Sequence, residues 1–307
     1  MRAFIFPGQG SQAIGMGKLL AESSAVARAL FEEVDDALGQ NLARLMAEGP
    51  EDQLTLTENA QPAIMANAIA TLRVSGIDLD DKADFVAGHS LGEYSALCAA
   101  EAFDFATAAR LLKLRGRAMQ AAVPVGEGAM AALLGLGLDG ARQVAAEAAQ
   151  GEVCTVANDN DPGQVVVSGH RAAVERALDI AKAKGAKRAL LLPVSAPFHC
   201  PLMQPAADAM ERALGDADVR PPLVPLYANV TAAPVNEPTE IRSLLVQQVT
   251  AMVRWRESIL AMAEAGVTHF VEFGGKVLSP MVKRIAPDAR TTSVTTMDDI
   301  EALVKEI

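Results

Sequence analysis

The chain has 307 residues, half of them apolar and 21% charged, which suits a globular enzyme of one large domain or a domain with an insertion. A net charge of −11 argues against nucleic-acid binding, and no apolar run approaches the roughly 18 residues of a membrane span. Three cysteines without paired spacing, Cys98, Cys154 and Cys200, argue against a disulfide framework or a zinc knuckle and point to a reducing, cytoplasmic setting.

In chain order, the first segment is a short strand, Met1-Arg2-Ala3-Phe4-Ile5-Phe6, running into a glycine turn at Pro7-Gly8. It is too short and too soon interrupted for a signal peptide. Gly8-Gln9-Gly10-Ser11-Gln12-Ala13 fits a dinucleotide-binding fingerprint, which needs a second strand ending in an acidic residue about twenty positions on. Residues 30–38 read as helix instead, so a nucleotide cofactor is not expected. Residues 83–87 read as a buried strand, 88–92 as a tight turn and 91–97 as the start of a helix. A helix over 106–120 carries four cations, Arg110, Lys113, Arg115 and Arg117.

The next block has its own order. Strand 129–136, helix 139–149, strands 153–157 and 164–168, a helix over 171–184 and strand 189–194 give βαββαβ, the ferredoxin-like arrangement. Turn-rich residues 124–128 precede the block and Ser195-Ala196-Pro197 follows it. We therefore expect a subdomain at 126–195 inserted into a larger domain formed by 1–125 and 196–307. Alternation of short β runs and longer helices makes that larger domain α/β with a mainly parallel sheet. A last clear strand lies at 270–273. There are no internal repeats.

Gly88-His89-Ser90-Leu91-Gly92 is a G-x-S-x-G pentapeptide between a strand and a helix, the setting of a nucleophile elbow. The glycines leave room for a strained turn, and the serine hydroxyl lies near a helix N-terminus that favours developing negative charge. Ser90 is the candidate nucleophile and needs a base. Of the four histidines, His89 adjoins the serine and should project away from it, His269 sits in a strand, and His170 opens a helix of the inserted block as a solvated residue. His199 lies in a Pro-flanked loop where the chain returns to the main domain, a plausible place for a base.

With Phe6-Pro7-Gly8-Gln9-Gly10-Ser11-Gln12 and Gly88-His89-Ser90-Leu91-Gly92-Glu93-Tyr94 in view, the chain resembles the malonyl-CoA:acyl carrier protein transacylases and, more distantly, polyketide synthase acyltransferase domains. The resemblance continues through Leu114–Gln120, Asn160–Val166, Pro197–Cys200, Tyr227–Thr231, Gln248-Val249 and Val253–Trp255, in family order over nearly the whole chain. It implies a hydrolase-like α/β domain with an inserted ferredoxin-like subdomain. It also implies ping-pong transfer of malonyl from malonyl-CoA to the phosphopantetheine thiol of an acyl carrier protein, by a monomer without metal or bound cofactor.

By the same resemblance Ser90 is the nucleophile and His199 its base, oriented by a backbone carbonyl near Gln248. The backbone N–H groups of Gln9 and Leu91 form the oxyanion hole. Spacing does not choose among the four cations of the 106–120 helix, whereas the motif selects Arg115 for the malonyl carboxylate. Met119, Asn160 and Phe198 are the other implied substrate contacts, with the Phe198 ring placed to crowd an α-methyl group.

Two departures from the family pattern stand out. The turn in Glu272–Leu278 is one residue short, and Gln247 replaces a common arginine. The carrier proteins are acidic, so docking calls for a local basic cluster: Lys276, Lys283 and Arg284, or Lys182, Lys184, Lys187 and Arg188. Fatty-acid synthesis is the expected role, with a trans-acting polyketide acyltransferase as the alternative. A serine thioesterase would need an acidic partner placed between Ser and His and an HGGG-like loop, neither of which is evident. A catalytically dead docking module gains nothing from an intact Ser90 and His199.

Overall fold

The computed structural model describes residues 1–307. Ten strands follow one another along the chain: β1 (Arg2–Phe6), β2 (Phe85–Gly88), β3 (Gly128–Leu134), β4 (Cys154–Asp161), β5 (Gln164–His170), β6 (Arg188–Leu191), β7 (Leu226–Tyr227), β8 (Pro234–Val235), β9 (His269–Phe273) and β10 (Arg290–Val294). They form two sheets. The larger has the order β10-β9-β1-β2-β7-β8, parallel throughout except for the β7–β8 edge pair.

β1 is buried on both faces, as a central parallel strand must be. Phe4 and Phe6 pack into the principal core, while Ala3 and Ile5 face a second cluster around Trp255, Ile259 and Phe270. The helix Thr57–Ser75 crosses the first face and is buried nearly all round, so its sequence lacks the polar stripe of a surface helix. The helix Phe105–Ala121 lies against it. A Cβ on Gly116 would come within 2.5 Å of Glu58 Cα, so only glycine permits this approach.

The smaller sheet is antiparallel, order β4-β5-β3-β6, which in its own numbering is second-third-first-fourth, the ferredoxin-like pattern. Its faces divide by the strand period of two. Ala129, Ala131, Leu133, Val165 and Val167 pack under the helices Gly137–Ala149 and Arg171–Ala183, while Met130, Ala132 and Val166 join the principal core. The outer strands differ from the sequence reading. β4 runs four residues further, to Asp161, through two register shifts, and the last strand stops at Leu191 rather than 194. A parallel bridge between Asn158 and Val253 joins β4 to the segment before the helix Trp255–Glu264, beyond the reach of the smaller sheet's own pattern. No helix is long and apolar enough to cross a membrane.

Candidate active site

Five parallel strands deliver their carboxyl ends to one edge of the large sheet. Phe6 and Gly88 are paired in register, so the loops after β1 and β2 leave side by side. A Cβ on Gly8 would lie 2.6 Å from the carbonyl oxygen of His89, which makes the closeness of these loops depend on glycine. The elbow is as tight. A Cβ on Gly88 would fall 1.9 Å from Gly92 C and O, and one on Gly92 would fall 2.3 Å from Phe6 O. Ser90, at the apex, has φ 55°, the strained left-handed backbone that a nucleophile elbow requires.

Behind the elbow Asn229, which follows β7, accepts from Ser90 N–H at 2.8 Å and donates to Gly88 O at 2.7 Å. His199 reaches Ser90 from the segment returning from the small sheet, itself at φ 56°. Its Nε2 lies 2.7 Å from Ser90 Oγ and its Nδ1 lies 2.8 Å from the main-chain oxygen of Gln248. The carbonyl can only accept, so it fixes the proton on Nδ1 and leaves Nε2 with a lone pair facing the hydroxyl. Burial, with Arg115 adding to it, pushes the imidazole down to about 3. The ring is therefore neutral, and a ready base, at any ordinary pH.

The N–H groups of Gln9 and Leu91 donate to no protein acceptor, and both residues line the cavity over Ser90. Two free N–H groups beside the hydroxyl fit an oxyanion site. The cavity is about 320 Å³; Met119, Phe198, Met130 and Val166 form much of its apolar wall.

The helix Phe105–Ala121 separates its four cations by their partners. Arg110 is exposed, Arg117 pairs with Glu58, and Lys113 is held by Glu58, Asn59 and Gln40. Of the four, Arg115 alone lines the cavity. It is 1% exposed, and its three polar partners are neutral oxygens: Gln61 Oε1 at 2.8 Å, Gln248 Oε1 at 2.7 Å and Ser90 Oγ at 3.1 Å. Its Nε has no partner, and the guanidinium lies 5.8 Å from the Tyr94 ring centroid. A buried guanidinium with neutral partners is an unfinished ion pair, suited to an incoming carboxylate.

Asn160 lines the cavity, but both ends of its amide are engaged by protein, Oδ1 with His89 Nε2 at 2.8 Å and Nδ2 with Gln164 Oε1 at 3.0 Å. It braces His89, which also lines the cavity and whose ring sits 5.7 Å from that of Trp255. His269 is buried between Arg2 and Thr292, and burial pushes it down to about 4. His170 is tied down rather than solvated, since its Nδ1 accepts from Val153 N–H.

The short turn after β9 closes on Glu272, whose carboxylate accepts from the N–H groups of Val277, Leu278 and Ser279 and from Ser279 Oγ. Those N–H groups open the helix Leu278–Ile285, so the carboxylate caps its first turn. Gln247 is exposed, bonded to Ser243, and lines no part of the cavity. Gln61, Asn229 and Glu93 belong to the site, yet no motif reading assigned them a role. The signal for Glu93 was its isolation, the one carboxylate in the apolar run from Leu91 to Leu97.

Comparison with known proteins places this geometry among relatives. Residues 3–281 match the family described as acyl transferase domain. A Bacillus subtilis protein named malonyl CoA-acyl carrier protein transacylase is 45% identical over 310 residues, covering 99% of this chain and 96% of that one. The crystal structure of an acyl-carrier-protein S-malonyltransferase from Bartonella henselae superposes with a TM-score of 0.97 at 53% identity, covering 99% and 98% of the two chains. A malonyl-transacylase solved in complex with a type II polyketide synthase acyl carrier protein gives 0.96 at 41% identity, covering 100% and 99%.

Proposed function

The chain belongs to the acyl transferase domain family, and from that premise we propose that it transfers malonyl from malonyl-CoA to the phosphopantetheine thiol of an acyl carrier protein for fatty-acid synthesis. The observation that carries the reading is the position of Arg115. Its guanidinium touches the nucleophile's own oxygen yet has no carboxylate partner in the protein.

His199 Nε2 takes the proton of Ser90 as Oγ attacks the thioester carbonyl. The oxyanion forms against the N–H groups of Gln9 and Leu91, a kind of donor worth about 2.7–4 kcal/mol each. The C–S bond breaks, His199 returns the proton to the departing CoA sulfur, and malonyl-Ser90 remains with its carboxylate on Arg115. The carrier-protein thiol then loses its proton to His199 and attacks the same carbonyl, and Ser90 is released when His199 protonates Oγ. Asp and Glu are absent from contact with His199; the carbonyl of Gln248 orients it in their place.

Neither a metal nor a bound cofactor enters these steps, and we propose that the enzyme works as a cytoplasmic monomer, a setting that suits its three unpaired, buried cysteines. Incubation with malonyl-CoA should add one malonyl mass to Ser90, and holo carrier protein should remove it. Failure of Ser90 to be labelled, or loss of the label to water as fast without carrier protein as with it, would overturn the assignment.

For docking, the basic cluster near the mouth reduces to Lys276. Lys283 donates to Ala289 O and Arg284 is paired with Asp161, whereas Lys276 has no partner and adjoins cavity-lining Val277. In the alternative cluster Lys182 and Lys184 are paired with Asp179 and Glu147, and Lys187 and Arg188, though without an ion pair, line no part of the cavity. The Lys276 side is therefore the proposed approach for an acidic carrier protein.

A further inference from the structure

Beneath the elbow lies a carboxylate that none of the steps above uses. Glu93, on the first turn of the helix Gly92–Ala99, is 1% exposed. Its Oε1 accepts from Asn229 N–H at 2.5 Å and its Oε2 accepts from the side-chain amide of Gln248. That same amide donates to Ser90 O at 2.9 Å, and its other end, Oε1, accepts from Arg115 at 2.7 Å. Gln248, fully buried, thus stands between one buried anion and one buried cation.

We infer that Glu93 is a positioning residue for acyl selectivity: it fixes which way the Gln248 amide points, and so holds Arg115 aimed at the acyl site. This rests on the malonyl-transfer reading. An amide has a donor end and an acceptor end, and only one orientation serves both neighbours. With NH2 toward Glu93 and Ser90 O, the oxygen is left for the guanidinium. If the amide turned over, its NH2 would face the Arg115 donors and its oxygen would face the Glu93 carboxylate, leaving two mismatched contacts in a buried site.

Glu93 also supplies negative charge one residue removed from Arg115. That is near enough to offset burial of the guanidinium and too far to occupy the fork that the substrate needs. Burial pushes the Glu93 carboxyl up to about 8, with the two donors and Arg115 pulling against it. Both groups bonded to its oxygens are N–H donors, so a proton on it would find no acceptor there, and the ionised form is the one the contacts fit.

Glu93→Gln tests this at constant shape. The new amide offers Gln248 a donor where there was an acceptor, which favours the turned-over orientation and misdirects Arg115. The KM for malonyl-CoA should rise and its kcat/KM fall at least about a hundredfold, while phosphonylation of Ser90 by a neutral fluorophosphonate, which has no carboxylate to bind and forfeits only the contact from Arg115 to Ser90 Oγ, should slow by no more than about tenfold. In an Arg115→Met background the same substitution should no longer affect malonyl-CoA, the non-additivity expected of residues acting through one network. Equal losses in both assays, or an unaltered KM, would overturn the inference.

If Glu93→Gln does not fold, Glu93→Asp, which keeps the charge but shortens its reach to the Gln248 amide, should show the same split between the two assays; no split there overturns the inference as well. Wild-type protein that takes no malonyl from malonyl-CoA would instead sink the functional reading itself.

Discussion

Replacing Arg115 with methionine keeps an unbranched side chain in the core and removes only the charged fork. In the wild type that fork is 1% exposed and reaches Ser90 Oγ at 3.1 Å, so a malonyl carboxylate placed beside the nucleophile would meet it out of water. Breaking a buried charged pair from one side costs about 3–5 kcal/mol. At about 1.4 kcal/mol per factor of ten, kcat/KM for malonyl-CoA should fall about 150- to 4000-fold.

Acetyl-CoA has no carboxylate to lose. It forfeits only the single contact from Arg115 to Ser90 Oγ, which at about 1.5 kcal/mol amounts to about tenfold. The preference for malonyl over acetyl should therefore drop by at least about tenfold. The assay is steady-state transfer from each CoA thioester to holo carrier protein, with a single cooperative melt showing that the variant is folded. Equal losses for the two acyl groups would refute the reasoning, because Arg115 would then serve the dyad or the fold rather than the carboxylate.

The remaining expectations concern the base, the acyl wall and the docking face. With His199 pushed down to about 3, chiefly by burial, its basic form persists as pH falls. Fluorophosphonate labelling of Ser90 should lose less than about half its rate between pH 7.5 and 5.5, where a histidine at its ordinary value near 6.5 would lose about tenfold. A drop with midpoint near 6.5 would mean that the imidazole is solvated in the working enzyme. Phe198 lines the cavity two residues into the return segment, and Phe198→Ser should raise the methylmalonyl-to-malonyl ratio of kcat/KM about tenfold, the scale of one methyl group in a tight pocket; an unchanged ratio would release the ring from that role. Lys276→Glu should raise the KM for carrier protein several-fold at low salt and leave acylation by malonyl-CoA unchanged, and indifference of both would move the docking face elsewhere.

Much of this site could be read from sequence because its parts are local. Gly88, Ser90 and Gly92 sit in a strand–turn–helix pattern that suffices to find them, although Gly92 is required by the distant carbonyl of Phe6 while the contacts that dictate Gly88 are local. The βαββαβ order was legible for the same reason, each element carrying its own periodicity. What escaped is what depends on partners distant in the chain. Four cations on one helix look alike until Glu58 and Asn59, more than fifty residues earlier, occupy two of them and leave Arg115 inward. Gln61 and Asn229 have ordinary neighbours in sequence and acquire meaning only from what lies opposite. The end of β4 escapes a local reading because it passes through two register shifts and a bridge from Asn158 to Val253 that no local pattern announces.

The arrangement also explains why two sheets are needed for one small cavity. The parallel sheet can place the nucleophile and free N–H groups at its carboxyl edge, since adjacent parallel strands release their loops on the same side. It cannot cover them, because every strand there ends at that edge. The covering comes from one face of the antiparallel sheet, where Met130 and Val166 line the cavity while Ala129, Ala131, Val165 and Val167 are held in a separate core beneath two helices. Slipping β3 by one residue would exchange its two faces, taking Met130 off the cavity wall and turning Ala129 and Ala131 toward it. The register of β3 against β5, Met130 with Ser168 and Ala132 with Val166, is therefore as much a determinant of the acyl cavity as the residues that touch the serine.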